Sequence, residues 1–221
     1  MKKEIQHLDP FKTDKETGIL GRIADALITQ ERLSVERFSI YNRGEALDGH
    51  HGADPFIVDA NGIPKFNEDP STKDMGASIR SLNEATKSDS GIFAELWSDN
   101  LMNSIKSNDL LISTLSNVDT LSSFGDDELG KAFKMVARLI ATRQTRGVDR
   151  DLFFIPFGGW DAHKKVFWNL DRNLAYLDSA IRAFSDEMKS MGIWESTVII
   201  QTSDFGRTLE PNSGDGSDHG W

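Results

Sequence analysis

Late in the chain, two short apolar runs flank one long amphipathic run, and that order constrains the fold more than any other feature. Asp151–Phe157 (DLFFIPF) reads as a strand, the stretch from about 166 to 191 as a helix, and Ser196–Thr202 (STVIIQT) as a second strand. The helical stretch spaces Leu170, Leu174, Leu177, Ile181, Phe184 and Met188 three to four residues apart, one stripe of a 3.6-residue period. Gly192 stands where a C-terminal cap glycine belongs. The first strand is almost wholly apolar, as in sheets covered by helices on both faces. Strand, long helix, strand is the βαβ unit, and its strands are parallel. Parallel strands bring their C-terminal ends to one edge of a sheet, where open α/β sheets bind ligands. Asp161 and His163, after the first strand, and Asp204 and Arg207, after the second, are therefore expected on one rim.

Upstream, Ile19–Leu33 reads as a helix with Ile19, Ile23, Ala26 and Leu27 on one face. Arg37–Tyr41 and Pro55–Val58 read as short strands on either side of the loop Asn42–Gly52, and Asn67–Met75 as irregular. From Ala77 to about Leu115 the pattern is helical with a break near Ser88–Gly91, its stripe being Ile79, Leu82, Phe93, Leu96, Leu101 and Ile105. Ser122–Asp127 can cap the next helix, Glu128–Arg146, which carries Leu129, Phe133, Val136 and Ile140 at helical spacing. The chain has no internal repeat and no low-complexity segment.

The 221 residues suffice for one sizeable α/β domain or two small ones. The chain ends at Trp221 within a Gly/Asp-rich loop, and the expectation is a single, incomplete domain over 1–221 of a longer protein. A formal net charge of −10 argues against a general nucleic-acid binder, which shows a basic face. It leaves anionic small substrates open, because a bound metal inverts the local charge. The lack of cysteine excludes disulfides, thiolate zinc sites and a cysteine-derived nucleophile within this segment. No apolar run approaches the roughly 18–20 residues that span a bilayer. The N-terminal MKKEIQHLDPF has lysines but no apolar core behind them, unlike a secretory signal.

The candidate chemistry sits after the strands and in the last loop. Gly158-Gly159 permits a tight turn and close backbone approach. An Asp-x-His pair beyond it, Asp161 and His163, can place an oxygen and an imidazole nitrogen on one divalent ion. The competing reading makes Asp161 a helix cap and His163 a plain exposed side chain. Asp204 closes the second strand as a ligand, a base or an N-cap. Arg207 suits a bidentate anion clamp or a structural ion pair. Asp218-His219 follows the polar loop Asn212–Gly216 and offers a further ligand or an ordinary turn. His50-His51 belongs mainly to a solvated loop, and His7 to an exposed terminus. No Gly-x-Ser-x-Gly elbow, P-loop or dinucleotide fingerprint is present.

Three motifs, Gly158-Gly159-Trp160-Asp161-Ala162-His163, then Thr202-Ser203-Asp204-Phe205-Gly206-Arg207-Thr208, then Pro211–Gly220, resemble in order and spacing those of DUF1501. That family of uncharacterised proteins is placed in the alkaline phosphatase/sulfatase-like superfamily. Residues 128–150 are similar to the family's helix before the first strand, and the resemblance is most secure over 125–221. It implies an alkaline-phosphatase-like, three-layer α/β/α sandwich around a largely parallel sheet, truncated here. It also implies divalent metals that activate a nucleophile and bind the transferred phosphoryl or sulfuryl group. By position, Asp161 and His163 look like ligands of one metal with His219 as the third, Asp218 is counted in the metal set, and Asp204 looks like the strand-end ligand. Arg207 is expected as the catalytic anion clamp. The chain departs from the phosphatases in three ways. Phe205 follows Asp204 where they have His, the Asp161/His163 spacing is shorter, and no nucleophile is identifiable.

The leading expectation is a metal-dependent hydrolase of small anionic phosphate or sulfate esters. Zinc is the first choice of ion, with calcium, magnesium and manganese open, and neither nucleic acid nor a transmembrane segment is expected. The resemblance also implies export, although the twin-arginine signal frequent in the family is not seen. The alternatives are a non-catalytic exported binding or assembly protein that keeps the fold, and an incomplete domain without activity.

Overall fold

The computed structural model describes residues 17–63, 75–84 and 91–220. The irregular stretch expected at 67–75 (Met75 excepted), the helix break near 88–91 (Gly91 excepted) and His7 lie outside them. Two compact units divide the chain: one joins Met1–Asn61 with Asp119–Trp221, the other spans Gly62–Val118.

The first unit is built on β1 (Val35–Ile40), β2 (Phe56–Val58) and β3 (Arg150–Phe154), paired in the order β2-β1-β3 with both ladders parallel. Central β1 buries Arg37, Phe38, Ser39 and Ile40 in succession, the mark of a strand covered on both faces. Phe38 pairs with Phe56 and Phe153 in register, and its ring stacks on each at 5.4 Å. Such cross-strand aromatic pairs stabilise a sheet beyond the area they bury.

Helix α1 (Ile19–Thr29) forms where the period predicts, but the face it buries is different. Gly21 and Ala24 are buried, while Ile19 and Ile23 are 43% and 39% exposed. The cause is a close approach: a Cβ at Gly21 would stand 1.7 Å from the Asp48 carbonyl oxygen, just after the short helix Glu45–Leu47. Only small residues fit there, so packing overrides the apolar stripe. The His50-His51 loop is exposed and is held by its backbone, both N–H groups donating to the Asp25 carboxylate.

In the second unit the expected helical stretch is two helices, α2 (Met75–Glu84) and α3 (Ile92–Leu115), with Gly91 at φ +82 before the latter. Ser98 Oγ donates to the Asn83 carbonyl and side-chain oxygens, and Arg80 pairs with Asp109 at 2.9 Å. Of the expected stripe Ile105 is buried, but Leu82, Phe93 and Leu96 are exposed.

Returning to the first unit, α4 (Glu128–Ala141) starts at Asp127, whose carboxylate accepts from the N–H groups of Leu129 and Gly130. This is the side-chain N-cap its sequence foretells. Its apolar face meets α6 (Val166–Ser190), where Phe133 and Phe184 pack edge to face at 5.2 Å. Between them, short α5 (Arg143–Arg146) ends at Gly147, φ +69. Helix α6 ends as predicted, with Gly192 at φ +70 and Ile193 N–H donating to the Met188 carbonyl. Its stripe is buried only toward the C-terminus, at Phe184 and Met188; Leu174 is 50% exposed. Among the described residues no helix is long and apolar enough to cross a membrane.

The expected βαβ unit does not form. Strand β3 pairs with β1, far upstream, and residues 197–205 carry no ladder. Thr197 is extended, yet Val198 and Ile200 are 83% and 72% exposed. Strand propensity describes how well side chains fit a pleated, half-buried surface. Without a neighbouring strand the apolar run stays unpaired. The architecture is therefore α/β with a small parallel sheet.

Candidate metal centre

The loop after β3 begins with a turn that needs glycine: Gly159 lies at φ +85, and its carbonyl accepts from the buried side chain of Asn173 on α6. That bond ties the start of the loop to α6. A second loop meets it, closed by β4 (Gly206–Arg207) and β5 (His219–Gly220), which pair antiparallel. Asn212 organises the intervening turn. Its Oδ1 accepts from the N–H groups of Gly214 and Gly216, and its Nδ2 donates to the His163 carbonyl at 3.1 Å. A Cβ at Gly216 would stand 2.1 Å from the His163 carbonyl carbon, so the two loops touch backbone to backbone.

At their meeting point Asp161 Oδ1 lies 3.0 Å from His163 Nε2, 2.9 Å from His219 Nε2 and 2.7 Å from Arg207 Nη2. The three ligand atoms of Asp161, His163 and His219 all fall within 4.8 Å of one another. Two imidazole nitrogens and one carboxylate oxygen form a donor set suited to zinc and other imidazole-binding divalent ions. All three side chains are solvent-accessible, so an ion and a small ligand could both reach them.

Asp218 stands behind this group. Its Oδ1 lies 3.2 Å from Nδ1 of His163 and accepts from Asn212 Nδ2 at 3.1 Å. A carboxylate on the far nitrogen of a ligating histidine fixes ring orientation and tautomer. Asp204 lies outside the group and is exposed. Arg207 reaches Asp161, as the shared-rim argument expected, but by the β4–β5 hairpin and not by a parallel crossover. Its Nη1 donates to the carbonyls of Ser217 and Ala162 and its Nη2 to that of Trp160. Both terminal nitrogens are thus engaged in clasping the two loops. Phe205 stacks on the His219 ring at 4.0 Å.

The electrostatics follow from these contacts. The hydrogen bond from His219, then that from Arg207, holds the Asp161 carboxyl below its ordinary value of 3.8. Asp218 is lowered likewise, first by Asn212 and then by His163. Both are carboxylates at neutral pH. Sequence reasoning missed Asn212, whose only local signal is an Asn heading a Gly-rich turn. It also missed buried Asn173, which sits unannounced among helix formers.

A family model described as "Protein of unknown function (DUF1501)" matches residues 70–221, beginning well before residue 125. No curated protein and no solved structure matches the chain. The three motifs that build the loops all fall within the matched span, and the chain belongs to the DUF1501 family.

Proposed function

We propose that this protein is a metal-dependent hydrolase of small phosphate or sulfate esters on an alkaline-phosphatase-like, three-layer scaffold. One observation carries the reading: the convergence of Asp161, His163 and His219 from two loops, with Asp218 orienting His163. The charge balance supports it. Two carboxylates outweigh the Arg207 guanidinium, so the cluster alone repels an anionic ester, and a divalent ion reverses that sign. Asp161, His163 and His219 would hold the ion. When bound, it would supply Lewis acidity toward the ester's oxygens. With the ion bound, Asp218 would accept the proton on Nδ1 of His163, 3.2 Å away, and leave Nε2 of the neutral ring its lone pair for the metal. Arg207, its terminal nitrogens committed to the loops, acts as a positioning residue rather than as the anion clamp.

The non-catalytic alternative draws on Phe205. It occupies the place where the phosphatases have His and covers one side of His219. A binding protein that keeps one ion would look the same.

Elemental mass spectrometry of the purified protein beside its His163→Ala variant tests the reading. A divalent ion present in the first and depleted in the second is expected, followed by turnover of p-nitrophenyl phosphate or sulfate with that ion. No ion after incubation with zinc, manganese or calcium would sink the hydrolase. A bound ion without turnover of either ester would favour the binding protein.

A further inference from the structure

Beside the candidate metal centre lies a hollow of about 500 Å³, lined by Lys165, Phe167, Trp168, Pro211 and Asp215. We propose that it is a subsite for a sugar ring, the organic part of the ester; its role in turnover rests on the hydrolase reading, its binding does not.

The hollow is built by the same loops that form the centre. Lys164 and Asp215 form a β-bridge, Lys165 N–H donates to the Gly214 carbonyl, and Val166 N–H donates to that of Asp215. His163 immediately precedes this seam. Two of its lining residues are held in the left-handed region, Lys165 at φ +49 and Asp215 at φ +55. A non-glycine residue there costs of order 1 kcal/mol, and such strain clusters at ligand sites. Here it fixes the backbone of two charged residues that line the hollow together with Phe167 and Trp168.

Both aromatic side chains are exposed, and the indole is braced from one side. Phe167 and Trp168 are 77% and 61% exposed, and the Arg172 guanidinium lies 4.7 Å over the Trp168 ring. Arg172 is itself anchored by Asn173 Oδ1 at 3.1 Å and Asn169 Oδ1 at 3.4 Å. The indole is therefore steadied before any ligand arrives. Among the described residues neither the Lys165 ammonium nor the Asp215 carboxylate has an ion-pair or hydrogen-bond partner.

A pyranose fits this combination. Its C–H face is apolar and lies on an aromatic ring, while its rim of hydroxyls requires both donors and acceptors, which Lys165 and Asp215 supply. A flat aromatic ligand would use the aromatic rings but cover the two charged groups without giving them partners, at a desolvation cost.

Isothermal titration calorimetry in EDTA separates this proposal from the metal reading. The probes are chitohexaose, cellohexaose and laminarihexaose, none of which carries an ester. Saturable binding of at least one is expected, weakened about tenfold or more by Trp168→Ala. Trp168→Phe should restore most of the affinity, and Asp215→Asn, compatible with the left-handed backbone, should weaken binding by about threefold. Three results would overturn the subsite: no saturable heat with any of the sugars, undiminished binding by a folded Trp168→Ala protein, or tighter binding of p-nitrophenol than of every sugar. A protein that binds sugar but never a metal ion would refute the hydrolase alone.

Discussion

Arg146 and Arg207 each bind carboxylates across a long stretch of sequence, but they hold different kinds of structure. The Arg146 side chain is 6% exposed and is bonded to Asp151, Glu36, Thr142 and the Leu139 carbonyl, with Phe38 beneath it at 5.1 Å. Burial opposes its charge, yet its bonds to Asp151 and Glu36 leave it more firmly protonated than a free arginine. It joins α5, β1 and β3, elements that already have ladders and helical bonds of their own. Arg207 is 18% exposed and joins loops that have almost no regular structure. Around Arg146, charge pairing adds to a packed core; around Arg207, hydrogen bonds replace one. The first region should resist perturbation until a partner is removed. The second should lose function before it loses its fold.

Removing Arg146 gives the largest expected effect. Arg146→Ala strands two acids, one with a side chain only 8% exposed, and should destabilise the protein by about 3–5 kcal/mol. Chemical denaturation would measure it. A loss under about 1 kcal/mol would mean that the acids are solvated and that the contrast with Arg207 is overdrawn.

Two glycines probe the loop region more finely. Gly216→Ala forces a Cβ into the His163 backbone and should cost about 1–3 kcal/mol, or displace the loop and with it His219. Gly158→Ala meets nothing within 4 Å and should be close to neutral. Equal effects on thermal unfolding would show that the two loops do not touch as described.

On the proposed metal reading, Arg207→Ala should lower affinity for a divalent ion about 10–100-fold while shifting global stability little, as loss of a residue that orients a ligand does. Competition with a chromophoric chelator reads it directly. Asp218→Asn should act in the same direction through His163. Unchanged affinity in both variants would leave the Asp161–His163–His219 group without its support.

The smallest effect is a titration. In the NMR spectrum the Asp161 carboxyl should titrate below 3.8 and move upward in His219→Ala. A depressed carboxyl stabilises the fold above its ordinary value, and that contribution is lost as pH falls through the lower folded value. The loop region should therefore stay tied down to roughly pH 4 and loosen only in stronger acid. A midpoint at or above 3.8 would mean that His219 does not donate to Asp161.

Local chemistry made the helices legible. The caps at Asp127 and Gly192 and the periodic runs in α4 and α6 lie within a few residues of the structure they dictate. Which face of a helix is buried was less legible, because α1 turns Gly21 inward to admit another backbone. Ser196–Thr202 shows the limit most clearly: its residues favour a strand, but a strand exists only when another chain segment offers hydrogen bonds.

The sequence by itself determined the composition of the candidate centre, since Asp161, His163, Asp218 and His219 stand out as a set of oxygens and imidazoles in Gly-rich loops. Tertiary structure alone decided their arrangement. It put Asp218 behind His163, left Asp204 outside, and turned Arg207 into a clasp. Ligand chemistry belongs to residue types and is written locally. Distances between side chains 46 to 58 residues apart depend on which loops pack together, and no local pattern encodes that.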